Sequence, residues 1–169
     1  MIFKVLKGID SAKCTSCLYN AGLFFLDYPP HDLTTAGFTN WIFVIGQLNV
    51  ITPSQKSALD AVIQATTEQY GVIVSDSTPG FFDMGTLLAP IPPEDPPNAG
   101  ISKLISGADA AACAAMLLDC GLSSSNQAVG SNVRITSQLR LSATNADQSG
   151  AFDSVVRAFA ATFTNAQVS

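Results

Sequence analysis

The sequence predicts an α+β fold, in which a small sheet packs with about four helices in a single compact domain. Strand and helix patterns alternate over the first 76 residues, as a mixed α/β half would show. A proline-rich crossover then precedes further amphipathic helix and strand patterns. Of the 169 residues, 47% are hydrophobic and 12% are charged, which excludes a disordered chain. The net charge of -5 argues against a general polyanion binder.

Start and stop signals place the elements of the first half. The segment from Thr52 to Gln55 has the residue types of a capping box with proline at the first helical position. Gly71 can supply the left-handed turn that ends this helix, and Trp41 opens the most apolar strand pattern of the chain. The predicted elements are a strand over residues 3–7, a helix from 10 or 11 to about 26, a strand over 41–51, a helix over 52–70 and a strand over 72–75.

The second half gives a different order of signals. Residues 106–109 predict a second capping box, which opens an alanine-rich helix that Gly121 ends. Residues 123–126 are serine or asparagine and predict a loop. Apolar and polar residues alternate over 133–143, which predicts one long amphipathic strand. Asn145 then caps the last helix.

The proline-rich segment divides the chain. Five of the nine prolines lie within residues 89–100, so this segment is neither helix nor central strand, and polyproline II is favoured. We predict an alternating strand and helix half over residues 1–88, a linker or arm over 89–100, and a helix-strand-helix half over 101–169 that packs on the first. Two uses of the segment stay open, a surface crossover and an arm on a neighbouring subunit. We expect no internal repeat at a fixed period.

Cys14 and Cys17 form a C-x-x-C pair at the start of the first predicted helix. A helix N-terminus stabilises a thiolate, so such a pair can be redox active. The order of elements over residues 3–88, with Thr-Pro before Phe81, is similar to that of thioredoxin-like proteins. The resemblance implies that Cys14 is the nucleophile, Cys17 the resolving thiol and Pro79 a cis-proline. The alternative is two small residues at the buried start of a helix.

Other cofactor and catalytic patterns are weaker. A zinc site would need Cys113 and Cys120 beside the C-x-x-C pair, but seven residues on one helix separate these two by about 10 Å. Both fit a core helix face better. His31 is the only histidine, and the sequence contains neither a G-x-S-x-G nor a phosphate-binding glycine motif. We therefore predict no metal, no cofactor and no catalytic residue outside the redox alternative.

Two of the eight basic residues, Arg134 and Arg140, fall on the polar face of the predicted 133–143 strand. They form a candidate contact for a neighbouring subunit, or for the phosphates of a nucleic acid. The alternative is an ordinary solvated strand face.

These observations favour a non-enzymatic structural protein that assembles with copies of itself. Few charges and many Ala, Ser and Thr residues give a surface with weak protection against self-association. The hypothesis is a homo-oligomeric virion subunit of a capsid, tail or connector, in contact with other virion proteins. A thioredoxin-like thiol-disulfide oxidoreductase is the alternative. Because apolar runs are short and a secretory pattern is absent, we expect no membrane partner and assembly in the host cytoplasm.

Overall fold

The computed structural model describes residues 2–23, 31–32, 41–46, 52–77 and 98–169. These residues form four helices and two four-stranded antiparallel sheets, which confirms the α+β class. In chain order the elements are β1 (Ile2–Lys7), α1 (Ser11–Asn20), β2 (His31–Asp32), β3 (Trp41–Gly46), α2 (Pro53–Gln69), β4 (Ile73–Ser77), β5 (Ser102–Ser106), α3 (Ala110–Asp119), β6 (Ser123–Val129), β7 (Asn132–Ser137), α4 (Ala146–Ala160) and β8 (Gln167–Val168). None of the described helices combines the length and hydropathy needed to cross a bilayer.

The two sheets have the same topology. The strand order is β2-β3-β1-β4 in the first sheet and β6-β7-β5-β8 in the second. Each half therefore runs β-α-β-β-α-β, with the strand order and connectivity that are called ferredoxin-like. The registers also correspond. Val5 lies opposite Phe43, the third residue of β3, and the equivalent Leu104 lies opposite Arg134, the third residue of β7.

The two halves are repeats of one structural unit, and their sequences show it. Residues 2–23 align with residues 101–122 without a gap, and nine of these 22 positions are identical, too many for an unrelated pair of segments. The identical pairs are Ile2/Ile101, Lys4/Lys103, Gly8/Gly107, Asp10/Asp109, Ala12/Ala111, Cys14/Cys113, Leu18/Leu117, Gly22/Gly121 and Leu23/Leu122. Corresponding residues are 99 positions apart here and 93 apart in α2 and α4, because the connections differ in length. The expectation of no internal repeat at a fixed period was wrong over residues 2–23 and 101–122, and the change of offset along the chain hides the rest of the repeat.

A steric reason explains why both halves have glycine at the equivalent positions 8 and 107. Gly107 has φ +106°, and a Cβ there would lie 2.1 Å from the backbone oxygen of Asn165. In the first half, a Cβ on Gly8 would lie 3.4 Å from the Cα of Val72. Val72 and Asn165 occupy equivalent positions after α2 and α4. In both halves the chain therefore passes close to the turn between the first strand and the first helix.

The helices of the two halves pack against each other. Helix α4 contacts both α1 and α2, and α2 also contacts α3. Exchanging the halves reproduces the same set of contacts, so the arrangement is an internal approximate two-fold. Each helix pair also covers one face of its own sheet. One hydrophobic core runs through both halves, and its largest fully buried side chains include Leu6, Leu18, Leu59, Phe152 and Phe159.

The structure confirms the predicted N-terminal caps of α2 and α4 and the glycine turns that end α2 and α3. Thr52 and Gln55 form the expected capping box of α2. The Asn145 side chain accepts hydrogen bonds from the first turn of α4. Gly71 and Gly121 have φ +61° and +79° after α2 and α3. These features depend on residues three or four apart, so the sequence pattern is sufficient to predict them.

Three predictions in the first helix and the second half are wrong at their boundaries. Helix α1 ends at Asn20 rather than near 26, because Gly22 turns left-handed at φ +83° and the Leu23 N–H donates to the Leu18 carbonyl. Residues 123–126 belong to strand β6 rather than to a loop. Strand β7 ends at Ser137 rather than at 143, since the chain turns over residues 138–141.

The second half also contains more sheet than the predicted helix-strand-helix, because β5, β6 and β8 complete a four-stranded sheet. The expected capping box at residues 106–109 does not form. Asp109 is the N-cap of α3, but its carboxylate accepts from the Asn165 N–H instead of from the helix. Of the proline-rich segment, only residues 98–100 are described, and the Asn98 N–H donates to the Leu139 carbonyl.

Candidate functional site

The first half contains a cluster of four charged side chains between β1, β4 and α2. Lys4 is 5% exposed and lies on the helix-facing side of β1. Its ammonium group contacts the Asp60 carboxylate at 2.5 Å and also contacts Asp76. Lys56 contacts the same two carboxylates, at 2.6 and 3.5 Å. The hydrogen bond from Lys4 holds the pKa of Asp76 below its usual value, although partial burial opposes this.

The second half repeats the central ion pair of this cluster. Lys103 and Asp153 are the counterparts of Lys4 and Asp60, and their ammonium and carboxylate groups lie 2.5 Å apart. The second oxygen of Asp153 accepts from Arg157 at 2.7 Å. Burial alone would raise the pKa of Asp153, but hydrogen bonds from Arg157 and Lys103 lower it below its usual value. In both halves the pair joins the first strand to the second helix.

A cavity of about 200 Å³ lies beside the first of these clusters. It is lined by Lys4, Asp60, Ile63, Gln64, Val74, Ser75 and Asp76. Lys4 donates to two carboxylates at once, so two of the three N–H groups of its ammonium are used within the protein. Because Lys103 and Asp153 repeat the pair between equivalent elements, we assign both pairs a structural role.

The cysteine pair lies in an environment that suppresses thiol reactivity. Cys14 is fully buried, and burial, followed by the neighbouring Cys17, raises the pKa of its thiol to about 12. Reactive cysteines have the opposite environment, which is accessible and electropositive. The Cys17 thiol donates across the internal interface to the Ala151 carbonyl at 3.9 Å. Both are free thiols, and Pro79, the third residue of the redox alternative, lies outside the described residues.

Cys113 and Cys120 are also buried free thiols. Burial raises the pKa of each to about 12. Cys113 is the counterpart of Cys14, so the repeated unit places a cysteine at this core position twice. Among the described residues, no group of three or more His, Cys, Asp or Glu side chains is placed to hold a metal ion.

The structure separates the two arginines that the sequence placed on one strand. Arg134 lies in β7 and is exposed, on the side of the sheet that faces away from the helices. Arg140 lies in the turn after β7 and is half-buried, and its carbonyl accepts from the Asn98 side chain at 3.2 Å. The two therefore do not form a shared basic patch on one strand face.

The outward face of the second sheet is formed mainly by hydroxyl and amide side chains. Lys103 reaches Asp153 on α4, so the residues that alternate with Lys103 point away from the helices. Pairing extends this face across the sheet, as Ser102 to Thr136 and Thr136 to Ser125 in one row. The neighbouring row runs through Leu104, Arg134 and Gln127. Arg134 is the one charged side chain in these two rows.

Among the described strands, β6 is the outermost at one end of this sheet. It has seven residues, Ser-Ser-Ser-Asn-Gln-Ala-Val, without a charge or a proline. A bulge between Ser123 and Ser125 marks its beginning, and a turn at Gly130, with φ +61°, joins it to β7. Natural sheets protect such edges with charges, prolines, short strands or bulges. The described edges β2 and β8 have two residues each, and β4 carries Asp76.

Sequence reasoning did not find β6 or the repeated ion pairs. The polar composition of β6 hides its strand character, whereas the ion pairs had a signal, since Lys4 and Lys103 stand at matching positions in the two aligned segments. Comparisons with models of known protein families, with curated proteins and with solved structures found no match.

Proposed function

We propose that this protein is a non-enzymatic structural subunit that assembles with copies of itself. The observation that carries the proposal is the outward surface of the second sheet, which ends in the uncharged strand β6. Apart from the bulge at its beginning, β6 has none of the features that keep sheet edges apart in solution, and no described strand pairs with its outward backbone groups. Partners that add to the sheet would satisfy these groups.

The internal two-fold supports this choice of surface. In many proteins an amphipathic helix face mediates association, but here the helices of each half already pack on those of the other half. In the part of the chain that the structure describes, the sheet surfaces that face away from the helices and the strands at the sheet edges remain for contacts with other chains. The interface within the chain and the interface between chains would therefore use different elements.

The assembly that we propose is a virion component, namely a capsid, tail or connector subunit. Composition supports this step: 12% charged residues and a polar surface of Ser, Thr, Asn and Gln suit a subunit whose surface is largely shared with neighbours. Contacts with other virion proteins belong to the same proposal. The engaged Lys4 and the buried thiol of Cys14 give no support to a catalytic alternative.

Light scattering after size exclusion, followed by negative-stain microscopy of the same fraction, tests the proposal. We expect a mass above the 17.6 kDa of one chain and a ring, shell or fibre in the images. Both should be unchanged by reductant, because the described cysteines are buried and unpaired. A monomer at high concentration would overturn the proposal, and a dimer that never forms larger particles would overturn its virion part.

A further inference from the structure

We propose that two copies of this chain pair through β6, antiparallel, about a two-fold axis at Gln127. The proposal rests on the self-association proposed above and identifies its first interface. It would join the two second sheets of the partners into one continuous eight-stranded sheet.

The hydrogen-bond pattern of the sheet shows which backbone groups of β6 are available. The Ser137 N–H donates to the Ile101 carbonyl, on the β5 side of β7. Backbone groups alternate in direction along a strand, so those of Arg134 and Thr136 point to β6 instead. Gln127 lies opposite Arg134 and uses its backbone groups in that ladder. The N–H and C=O groups of Asn126 and Ala128 consequently point out of the sheet edge.

This alternation selects one register for a second copy. If Gln127 lies on the axis, Asn126 of each copy faces Ala128 of the other, which gives two pairs of residues. In both pairs the backbone groups point toward the partner strand. Each such pair exchanges two hydrogen bonds, so the register forms four. It also avoids the bulge at Ser123 to Ser125. A register centred on Asn126 would instead bring Ala128 against Ser124, inside the bulge.

Charge and shape permit the contact. Strand β6 contains no charged residue, so identical strands meet without repulsion. The nearest charge on the outward face is Arg134, opposite Gln127 on the neighbouring strand. Across the axis the two Arg134 residues would be about 15 Å apart by strand spacing, well beyond the screening length of about 8 Å at physiological salt. Gln127 and Ala128 are both exposed, so nothing in the described part of the chain blocks the approach.

A charge-swap experiment tests this geometry. Gln127→Lys and Gln127→Glu each bring like-charged side chains together at the axis, with their Cβ atoms about 5 Å apart. Gln127→Lys should raise the dimer dissociation constant about ten-fold or more. Gln127→Glu should raise it less, because Arg134 of the same chain lies opposite and partly neutralises the carboxylate. An equimolar mixture of the two should restore dimers, now mixed, in sedimentation velocity. Ser102→Lys is the matched control, because Ser102 is exposed on the same face but lies two strands from the edge. It should dimerise as the unmodified chain does.

The outcomes separate this inference from the proposed function. If the unmodified chain is monomeric, both are overturned. If it self-associates and Gln127→Lys does not weaken association, another surface holds the subunits and only the β6 interface is overturned. Loss in both single variants without recovery in the mixture would also overturn the two-fold at Gln127. Circular dichroism of each variant establishes that the fold is intact, and Ala128→Pro, which removes an outward N–H, gives a second test of the same edge.

Discussion

The Cys14 thiol lies in the first turn of α1, where the helix N-terminus favours a thiolate. Its surroundings oppose this effect, since the side chain is fully buried and Cys17 adds repulsion between thiolates. The pKa rises to about 12, so the thiolate is scarce at neutral pH. The position of Cys14 on the helix could be predicted from the sequence. Its burial was the alternative that the sequence offered. The contact of the neighbouring Cys17 with Ala151 could not be predicted, because it is long-range.

We predict that Cys14 in the native protein reacts slowly with iodoacetamide, at least 100-fold more slowly than in unfolded protein. The rate should rise steadily between pH 7 and pH 10 without a plateau, because the thiolate fraction keeps growing below a pKa of about 12. Mass spectrometry of the alkylated peptide measures the rate at this residue. Protein in guanidinium is the control, and a plateau near pH 7 would instead favour the oxidoreductase alternative.

At the scale of elements, the sequence predicts those features that depend only on residues close together in the chain. The capping box of α2 and the cap at Asn145 depend on contacts within one turn, and both are confirmed. Strand β6 depends on pairing with β7 and not on its own propensity, since serine and asparagine are poor strand formers. The ion pairs depend on residues about 50 positions apart, such as Lys103 and Asp153. These features require the fold to be known.

The Lys103–Asp153 pair should make stability depend on pH, because it connects β5 to α4. The pKa of Asp153 is lowered in the folded state, so its contribution is present above the unfolded value near 3.9 and is lost as pH falls through the folded value. We predict that Asp153→Asn lowers the free energy of unfolding by about 1–2 kcal/mol at pH 7. The difference should shrink as pH falls below the unfolded value near 3.9.

Urea denaturation between pH 3 and pH 7 measures this dependence. Asp147→Asn is the control, since Asp147 is exposed in the first turn of the same helix and the change should cost only a few tenths of a kcal/mol. A cost for Asp153→Asn that stays constant over the whole pH range would contradict an ionic origin.

At the scale of the whole molecule, the chain contains two repeats that share one core. Helix α4 of the second half packs on both helices of the first, so neither half buries its helix faces alone. Equivalent positions such as Leu18 and Leu117 are both fully buried in the same core. The two halves should therefore unfold as one cooperative unit, although each has its own sheet.

We predict that Leu18→Ala and Leu117→Ala each lower the free energy of unfolding by about 3 kcal/mol, the usual cost of such a cavity. Each variant should still show a single transition, with equal calorimetric and van't Hoff enthalpies. Differential scanning calorimetry makes both measurements. Two separate transitions in either variant would show that the halves unfold independently and that the shared core is energetically minor.

The repeats differ most in their outermost strands, and this difference limits how a particle can grow. In the described part of the chain, β2 has two residues where its counterpart β6 has seven. Two long edges of this kind on every chain would allow end-to-end addition without limit, as in a filament. A chain with one such edge has no long edge left to pair once its β6 has paired with the β6 of a second chain. Any larger particle would then be built from pairs, and it would contain an even number of chains.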